Sequence, residues 1–430
     1  MSSKNWEWPG RVGKSILEWM CFAMFKIVRR APSDGGAQPK TQTGNRRSLY
    51  LLAFSLIVVM LGFGMVVPIF PFYIDRLGAS GSALGLLVAT ASLTELLFGP
   101  IWGSVSDRAG RKPILMIGML GYGLSLLLFG LSTKLWMLIA SRALSGVLSS
   151  ATLSTAMAYI GDSTTEEERG GRMGLLSAAA GVGMIIGPGI GGLLATGSLS
   201  TPFFIAAGMS LVSLALIALL LPESLPRESR VSAKGPIALV NFRELWRALF
   251  SPIGFLLLLA FLATFGTSNF ESVFGLYVLK KLGYGPEQVG GILTVVGVIA
   301  LIGRGLLTGA VTKWVGEGTA IRASLIAGAF GFVLLLLANS YPAVLLTTGF
   351  FVFTTTFLRP SIHSLTSRRA SVGQGAAMGL SNSFVSLGRV AGPIYAGAIF
   401  DLHPNLPYIS GAIILLFVFL ISLWGRRHLE

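Results

Sequence analysis

Twelve long apolar runs constrain this chain more than any other feature, because each can cross the ~30 Å hydrocarbon layer of a membrane as a helix. A composition of 53% hydrophobic and only 12% charged residues does not suit a soluble protein of 430 residues. We therefore predict an all-α membrane protein. The runs cover residues 49–74, 82–106, 112–132, 134–160, 170–196, 200–221, 250–279, 286–312, 319–340, 342–366, 374–401 and 406–425.

The distribution of the basic residues explains the high net charge. A formal charge of +15 suggests nucleic acid as a partner in a soluble protein. Here most Lys and Arg residues lie in segments that alternate onto one side of the predicted membrane, and few lie on the other, namely Arg76, Lys134, Lys280 and Lys281. The asymmetry predicts that both termini are cytoplasmic, and nucleic acid is not needed to explain the charge. The single cysteine, Cys21, excludes an internal disulfide.

The second half of the chain repeats the first at a spacing of about 205 residues. The pairs Met173-Gly174 and Gly187-Pro188 recur as Met378-Gly379 and Gly392-Pro393. The repeat predicts two six-helix bundles with a substrate path between them. The predicted regions are an extension (1–48), a first bundle (49–221), a cytoplasmic linker (222–249) and a second bundle (250–430).

Two segments outside the spans have an amphipathic pattern. Residues 14–30 are predicted to form a helix that lies along the membrane surface, joined to the first span by a flexible tether over residues 31–47. In the linker, the sequence NFRELWRALF predicts a second surface helix.

The turn between the second and third runs reads G-x-x-x-D-R-x-G-R-K. Its glycines allow backbones to crowd, and its acid faces three basic residues, which predicts a compact ion cluster at a membrane surface. The residues are Gly103, Asp107, Arg108, Gly110, Arg111 and Lys112. A decayed copy appears in the second half as Gly309, Lys313 and Gly316.

The fifth run places Gly183, Gly187 and Gly191 on one helical face, with Pro188 interrupting the backbone hydrogen bonds. Such a face predicts close packing against another helix.

Ionisable residues inside the spans are candidates for function, since each costs about 2.5–3.5 kcal/mol at the membrane centre on insertion scales. Glu95 and Glu271 are the acids. The rings of Phe270, Phe274 and Tyr277 accompany Glu271 at helical spacing and predict a wall for a flat cationic or amphiphilic ligand. The alternatives for both acids are a structural pair with an arginine and exposure to a wet cleft without coupling.

Four arginines also lie inside spans. Arg142 is either a coupling residue or part of an ion pair between helices. Arg359 and Arg389 are predicted to pair with a membrane acid or to bind an anionic group, and Arg304 is left between a functional and a structural role.

The charged turn resembles the signature of the major facilitator superfamily, where it lies on the cytoplasmic side between the second and third helices. Gly183 to Pro188, with Gly191 and Gly192, is similar to the motif of its drug and proton antiporters, and Arg142 resembles the arginine motif of proton-coupled members. The resemblance implies that Asp162 pairs with Arg111. It also implies that the cluster lies near the start of the eleventh helix, whose positive end would attract Asp107.

From residue 50 to residue 427 the chain resembles the twelve-helix drug:proton antiporters, especially bacterial multidrug and quinolone efflux pumps, and in part tetracycline efflux proteins. Glu271 and Arg359 match their acid and arginine contexts. Acids of the tetracycline group are replaced by Val59 and Ser125, and a helix 10 acid of the quinolone group is replaced by Thr356. These differences leave Glu271 and Glu95 as the main coupling candidates.

The resemblance implies a major facilitator fold in the cell (inner) membrane and a proton-coupled antiporter that exports amphiphilic or cationic drug-like molecules by alternating access. We expect a monomer without enzymatic activity, cofactor or metal, in contact with membrane lipids. The alternatives are a lipid or lipid-linked sugar flippase, an uptake symporter, and a membrane sensor that transports nothing.

Overall fold

The computed structural model describes residues 41–225, 230, 240–370 and 373–424. In these residues twelve helices are long and apolar enough to cross a membrane, and no strand is present, which confirms the all-α prediction. The membrane helices are α1 (Thr41–Val66, a 3₁₀ turn Val67–Ile69, and Phe70–Arg76), α2 (Gly81–Ala109), α3 (Arg111–Gly130), α4 (Leu135–Asp162), α5 (Glu166–Ala195), α6 (Thr201–Leu220), α7 (Gly254–Glu271 and Phe274–Leu282), α8 (Pro286–Ile302, a π turn Gly303–Leu307, and Thr308–Val315), α9 (Glu317–Leu337), α10 (Tyr341–Thr355 and Leu358–Arg368), α11 (Gln374–Leu402) and α12 (Leu406–Trp424).

The first helix begins at Thr41, so the predicted tether over residues 31–47 is wrong for its last residues. Apolar periodicity marks only the part of a helix that crosses lipid, whereas backbone hydrogen bonding continues through the polar residues before it. The predicted surface helix at residues 14–30 lies outside the described residues.

In the linker, Phe242–Ala248 forms the predicted short helix. The Asn241 side chain accepts hydrogen bonds from the backbone N–H groups of Arg243 (3.1 Å) and Glu244 (3.3 Å), which caps the helix. Leu245 and Ala248 are buried, while the other side of the helix is exposed. Its position on a membrane surface stays a prediction.

Local chemistry explains two of the helix breaks. Pro68 and Pro71 remove hydrogen-bond donors where α1 tightens into its 3₁₀ turn. In α7, the hydroxyls of Ser268 (2.8 Å) and Ser272 (2.5 Å) donate to backbone carbonyls four residues earlier, a pattern that bends helices, and the break follows Glu271.

The same packing pattern occurs in both halves. In the first half α2 packs on α4 and α3 packs on α6; in the second half α8 packs on α10 and α9 packs on α12. Each half has an aromatic core. The rings of Phe129 and Phe203 stack at 4.5 Å in the first, and those of Phe332 and Phe351 lie 4.5 Å apart in the second.

Two faces of the bundle are distinguished by their turns. We call the face with the α2–α3 turn at Gly110 and the α8–α9 turn at Gly316 the motif face. The face with the α1–α2 turn at Gly78 and the α7–α8 turn at Gly283 is the distal face. All four glycines have positive φ, which a side chain would strain.

Candidate functional site

The predicted ion cluster forms at the motif face, around the turn between α2 and α3. The Arg111 guanidinium lies 2.5 Å from an Asp107 carboxylate oxygen and 2.8 Å from an Asp162 oxygen, and its Nη1 donates to Ser106 Oγ at 2.6 Å. The Arg111 side chain is only 8% exposed. One buried guanidinium therefore connects the ends of α2, α3 and α4.

Glu223, just after α6, completes the cluster. Its carboxylate accepts hydrogen bonds from the backbone N–H groups of Arg111 (2.8 Å) and Lys112 (3.3 Å) at the start of α3. A carboxylate at this position satisfies unpaired N–H groups and complements the helix dipole. The Lys112 side chain donates to the carbonyl of Ala218 in α6 at 2.8 Å. Sequence reasoning missed this contact.

The second half contains the same cluster with its charges inverted. Glu317 begins α9 as Arg111 begins α3, and its carboxylate lies 3.1 Å from the guanidinium of Arg368 at the end of α10. It also accepts a hydrogen bond from Ser364 at 3.1 Å. With Lys313 in the place of Asp107, the charges at the three matched positions have all changed sign. The sequence showed only the change to Lys313; applying the repeat spacing to Arg111 and Asp162 would have found Glu317 and Arg368.

The glycine face of α5 packs directly on α1. A Cβ at Gly183 would lie 2.5 Å from the carbonyl oxygen of Ile57, and one at Gly187 would lie 2.7 Å from Gly64 Cα. Gly191 meets Met65 in the same way. Any side chain at these positions would push the two helices apart.

Two further glycine contacts, between α5 and α8 and between α11 and α2, join the two halves near the distal face. A Cβ at Gly192 of α5 would lie 3.2 Å from Gly290 Cα in α8, and one at Gly397 of α11 would lie 3.1 Å from Gly85 Cα in α2. The second contact repeats the first at the same spacing along the chain. The carbonyls of Pro188 and Pro393 are in turn the nearest atoms to Gly290 and to Gly85.

Side-chain contacts add to this distal closure. The Asp401 carboxylate, at the end of α11, accepts hydrogen bonds from the backbone N–H groups of Gly81 (2.5 Å) and Ser82 (2.8 Å) at the start of α2. The Ser82 hydroxyl donates to the same carboxylate at 2.5 Å. Lys280 of α7 forms an ion pair with Asp75 of α1. The two halves are therefore closed against each other at the distal face.

The same helices are separate at the motif face. Gly103 follows Gly85 by about five helical turns and so lies on the same side of α2, yet a Cβ there would meet nothing within 4 Å. The equivalent statement holds for Gly174 in α5 and Gly379 in α11. A cleft between the halves thus opens toward the motif face.

This opening changes one expectation. Asp107 was expected near the start of α11, but in the described residues its contact is with Arg111, and the first described turns of α11 at Gly375 and Gly379 stand free. The predicted contact between Asp107 and α11 is absent in this conformation because the motif face is open.

In the first half, Glu95 and Arg142 are electrostatic neighbours. The Glu95 side chain is exposed and lies within electrostatic range of Arg142. Arg142 is 7% exposed, and its guanidinium carbon lies 4.8 Å from the ring centre of Phe70 and 5.5 Å from that of Phe63. The arginine is therefore held by aromatic rings, and the acid remains open to the cleft.

In the second half, Glu271 ends the first segment of α7 and is exposed. It lies within electrostatic range of Arg359, which begins the second segment of α10. Both residues sit where a membrane helix is interrupted. Each half thus pairs one exposed acid with one arginine.

The sequence predicts that the rings of Phe270, Phe274 and Tyr277 form a ligand-binding wall with Glu271. The structure places these rings elsewhere. All three are 1–3% exposed. Phe270 packs at 4.9 Å on both Phe274 and Phe351, and Tyr277 packs at 4.3 Å on Tyr408. The break after Glu271 turns the rings into the second bundle, so the predicted aromatic wall is part of the core in this conformation.

A family model described as Major Facilitator Superfamily matches residues 52–372 and 256–429. Multidrug resistance protein 2 of Bacillus subtilis (strain 168) is 32% identical over 391 residues, covering 90% of this chain and 98% of that protein. Quinolone resistance protein NorA of Staphylococcus aureus is 28% identical over 383 residues, covering 89% and 97%.

Two solved structures share the fold. A bacterial homologue of the human lysosomal transporter Spinster, in an inward-facing and unoccupied conformation, has a TM-score of 0.71 at 14% identity, covering 92% of this chain and 98% of its own. The human organic anion transporter MFSD10 (TETRAN) has a TM-score of 0.63 at 22% identity, covering 90% and 100%.

Proposed function

The chain belongs to the major facilitator superfamily, and from this premise we propose that it is a proton-coupled antiporter that exports amphiphilic small molecules by alternating access. It is a multi-pass protein of the inner cell membrane and a transporter rather than an enzyme. The observation that carries the proposal is the pair of exposed membrane carboxylates, Glu95 and Glu271, each within electrostatic range of an arginine of its own half.

The closure of one face and the opening of the other support alternating access. Among the described residues, most Lys and Arg lie at the motif face, so the positive-inside rule assigns that face to the cytoplasm. The cleft then opens to the cytoplasm, which is where an exporter takes up its substrate. Transport requires the distal contacts at Gly192, Gly397 and Asp401 to separate while the two motif-face clusters come together.

Glu271 is our main candidate for the proton carrier. As a carboxylate it is attracted to Arg359; as a neutral acid it loses that attraction, which frees the two helix segments to move. A proton that arrives from outside would thereby drive the return step. Glu95 and Arg142 form the second candidate pair.

The relatives support export of drug-like compounds, since one of them is named for multidrug resistance and another for quinolone resistance. Wide substrate ranges need surfaces that accept varied apolar bodies. Helices of both halves carry exposed apolar side chains, among them Met184 of α5 and Leu301 of α8.

Proton flux in proteoliposomes tests the proposal. Ethidium, norfloxacin and 1-pyrenebutyrate serve as cationic, zwitterionic and anionic probes, and a pH-sensitive dye reports proton movement. We expect at least one probe to drive proton movement with the unaltered protein, and Glu271→Gln to abolish it while probe binding remains. Glu95→Gln should weaken coupling or change which probes are moved.

Glu167→Gln is the matched control, because Glu167 is exposed at the start of α5 on the motif face, away from the cleft pairs. It should behave as the unaltered protein does. Equal proton movement by Glu271→Gln and the unaltered protein would refute the assignment of Glu271. The absence of proton movement with every probe would refute antiport.

A flippase for lipids or lipid-linked sugars is the second candidate. The observation that favours it is a group of arginines in the second half, at Arg304, Arg359 and Arg389, which suits a phosphate group. Transfer of a fluorescent phospholipid across the vesicle membrane, measured by dithionite quenching, separates this function from drug export.

A further inference from the structure

Three arginines and one carboxylate lie near one another inside the second half. Arg304 of α8, Arg389 of α11 and Glu271 of α7 all lie within electrostatic range of Arg359 in α10. These residues come from four different helices, so the fold and not local sequence brings them together. We call Arg304, Arg359 and Arg389 the arginine cluster.

Contacts on both sides of the cluster place it at the cleft. Leu301 lies 3.8 Å from the Cβ position of Gly181 in α5, so this face of α8 points toward the first half. Arg304 follows one turn nearer the motif face and is exposed. Arg389 is also exposed and precedes Pro393, which touches α2, by about one turn.

The backbone around Arg304 is specialised. Residues Gly303–Leu307 form a π turn, a feature found often at functional sites. A Cβ at Gly303 would collide with the Thr356 side chain, so α8 and α10 touch here. The contact positions Arg304, whose Nε donates to Thr356 Oγ1 at 3.1 Å.

The charge of this region is not balanced by the protein. Among the described residues, no carboxylate lies within 4.0 Å of any of the three guanidinium groups, and the hydroxyl of Thr356 is neutral. His363, one turn beyond Arg359, contacts Ser381 at 3.3 Å and adds no negative charge. Arginine does not deprotonate in proteins, so three positive charges face one acid. Arg304 and Arg389 are exposed and Arg359 is half-buried, so an anion from outside the protein can reach this region and balance its charge.

The first half has no such cluster. The repeat spacing of about 205 or 206 residues relates Arg304 to Phe98 or Gly99, Arg359 to Leu153 or Ser154, and Arg389 to Gly183 or Met184, and none of these first-half residues carries a charge. The excess positive charge is therefore not a consequence of the shared architecture. It is a property of one wall of the cleft.

We propose that the arginine cluster binds the anionic group of the substrate, a carboxylate or a phosphate, and that this protein prefers amphiphilic anions over cations. The guanidinium groups supply charge-assisted hydrogen bonds to the anion. The exposed side chains of Leu301 and Ile302 contact the apolar body one turn away. This assignment names the substrate class of the transporter and rests on the proposed function.

Equilibrium binding tests the proposal without a proton gradient. The full chain in phosphatidylcholine nanodiscs is titrated with 1-pyrenebutyrate, 1-pyrenebutanol and 4-(1-pyrenyl)butyltrimethylammonium, which share one apolar body, and tryptophan-to-pyrene energy transfer reports binding. We expect the carboxylate to bind at least about tenfold more tightly than the ammonium probe. Arg359→Gln and Arg389→Gln should each weaken carboxylate binding by about tenfold and leave the alcohol unchanged.

Thr356 offers a sharper test. Thr356→Asp places an acid beside Arg304 and should reduce or reverse the preference for the carboxylate probe, whereas the neutral Thr356→Asn should retain it. Arg243→Gln removes an exposed arginine from the linker helix and serves as the control for charge alone. Unchanged unfolding temperatures show that the variants fold.

Nanodiscs that contain phosphatidylglycerol separate two sources of the anion. Competition with 1-pyrenebutyrate identifies a lipid head group as an occupant, and lack of competition identifies a soluble anion; both support the site. Equal or tighter binding of the ammonium probe by the unaltered protein overturns it, as does carboxylate binding that survives both arginine variants. Anion preference without proton-coupled transport would refute the proposed function alone, and the reverse result would refute this inference alone.

Discussion

The two halves of this transporter share one backbone plan and differ in charge. In each half one helix packs closely on a helix of the other half through a glycine at an equivalent position. Gly192 of α5 contacts α8, and Gly397 of α11 contacts α2. At the motif face α3 of the first half and α9 of the second each begin with an ion pair, but Arg111 pairs with acids whereas Glu317 pairs with Arg368. The two halves therefore share the glycine contacts at which their helices cross, and they differ in the charges at the motif face.

The inversion has a physical consequence for closure. At the three matched positions the first half has two acids and one arginine (Asp107, Asp162 and Arg111), while the second half has two bases and one acid (Lys313, Arg368 and Glu317). The opposite net charges of these two triads attract across a closing cleft and are screened by salt when it is open. Charge inversion thus favours closure of the motif face without a new apolar interface.

The largest expected effect is on the transport rate, at the two glycine crossings that the halves share. Gly192→Ala and Gly397→Ala should each slow transport by about tenfold or more, because a methyl group against a neighbouring backbone costs about 1–3 kcal/mol in a close-packed contact. The two effects should be similar, since the contacts are equivalent. Initial rates in proteoliposomes measure them. Gly208→Ala on α6, where a Cβ meets nothing within 4 Å, is the control, and an effect at only one crossing would break the equivalence.

A smaller effect should distinguish the two ion pairs. Arg111→Ala leaves two carboxylates facing each other around a buried site and should lower stability by about 2 kcal/mol, and transport rate more than substrate affinity. Glu317→Ala should cost about 1 kcal/mol or less, because the Arg368 side chain is 70% exposed. Thermal unfolding, transport rate and equilibrium binding are measured together. A larger loss from Glu317→Ala would reverse the ranking, and a loss of affinity without a loss of rate would move Arg111 into the binding site.

Much of the fold could be predicted from the sequence because membrane helices are recognisable by their length and apolar composition. The twelve spans, the repeat, the glycine faces and the pairing of Arg111 with Asp162 all agree with the structure. Helical periodicity states which residues share a face but not which way that face points. That limit explains why Phe270 and its neighbouring rings were placed beside Glu271.

The contacts missed from sequence are those between distant segments. Glu223 and Asp401 look like ordinary loop and helix-end acids until the fold places them against the starts of α3 and α2. The π turn at Gly303–Leu307 has no proline to mark it. Such features depend on which helix ends meet, and apolar patterning carries no information about that.

The smallest effect concerns a difference between the two distal crossings. The first three backbone N–H groups of α2 are capped by Asp401 and by Ser80, whereas the hydroxyl of Thr196, at the position equivalent to Asp401, donates to the carbonyl of Leu193 of its own helix at 2.8 Å.

Loss of a helix cap costs about 1 kcal/mol, which corresponds to about a fivefold change in an equilibrium. Asp401→Ala should therefore open the distal face about fivefold more often, and Thr196→Ala should leave it unchanged. Asp401→Asn, which keeps one acceptor but loses the charge, should fall between them. Electron-electron distances between spin labels at Thr133 and His403, in a Cys21→Ser background, report the opening. A response to Thr196→Ala as large as that to Asp401→Ala would show that the cap does not distinguish the two crossings.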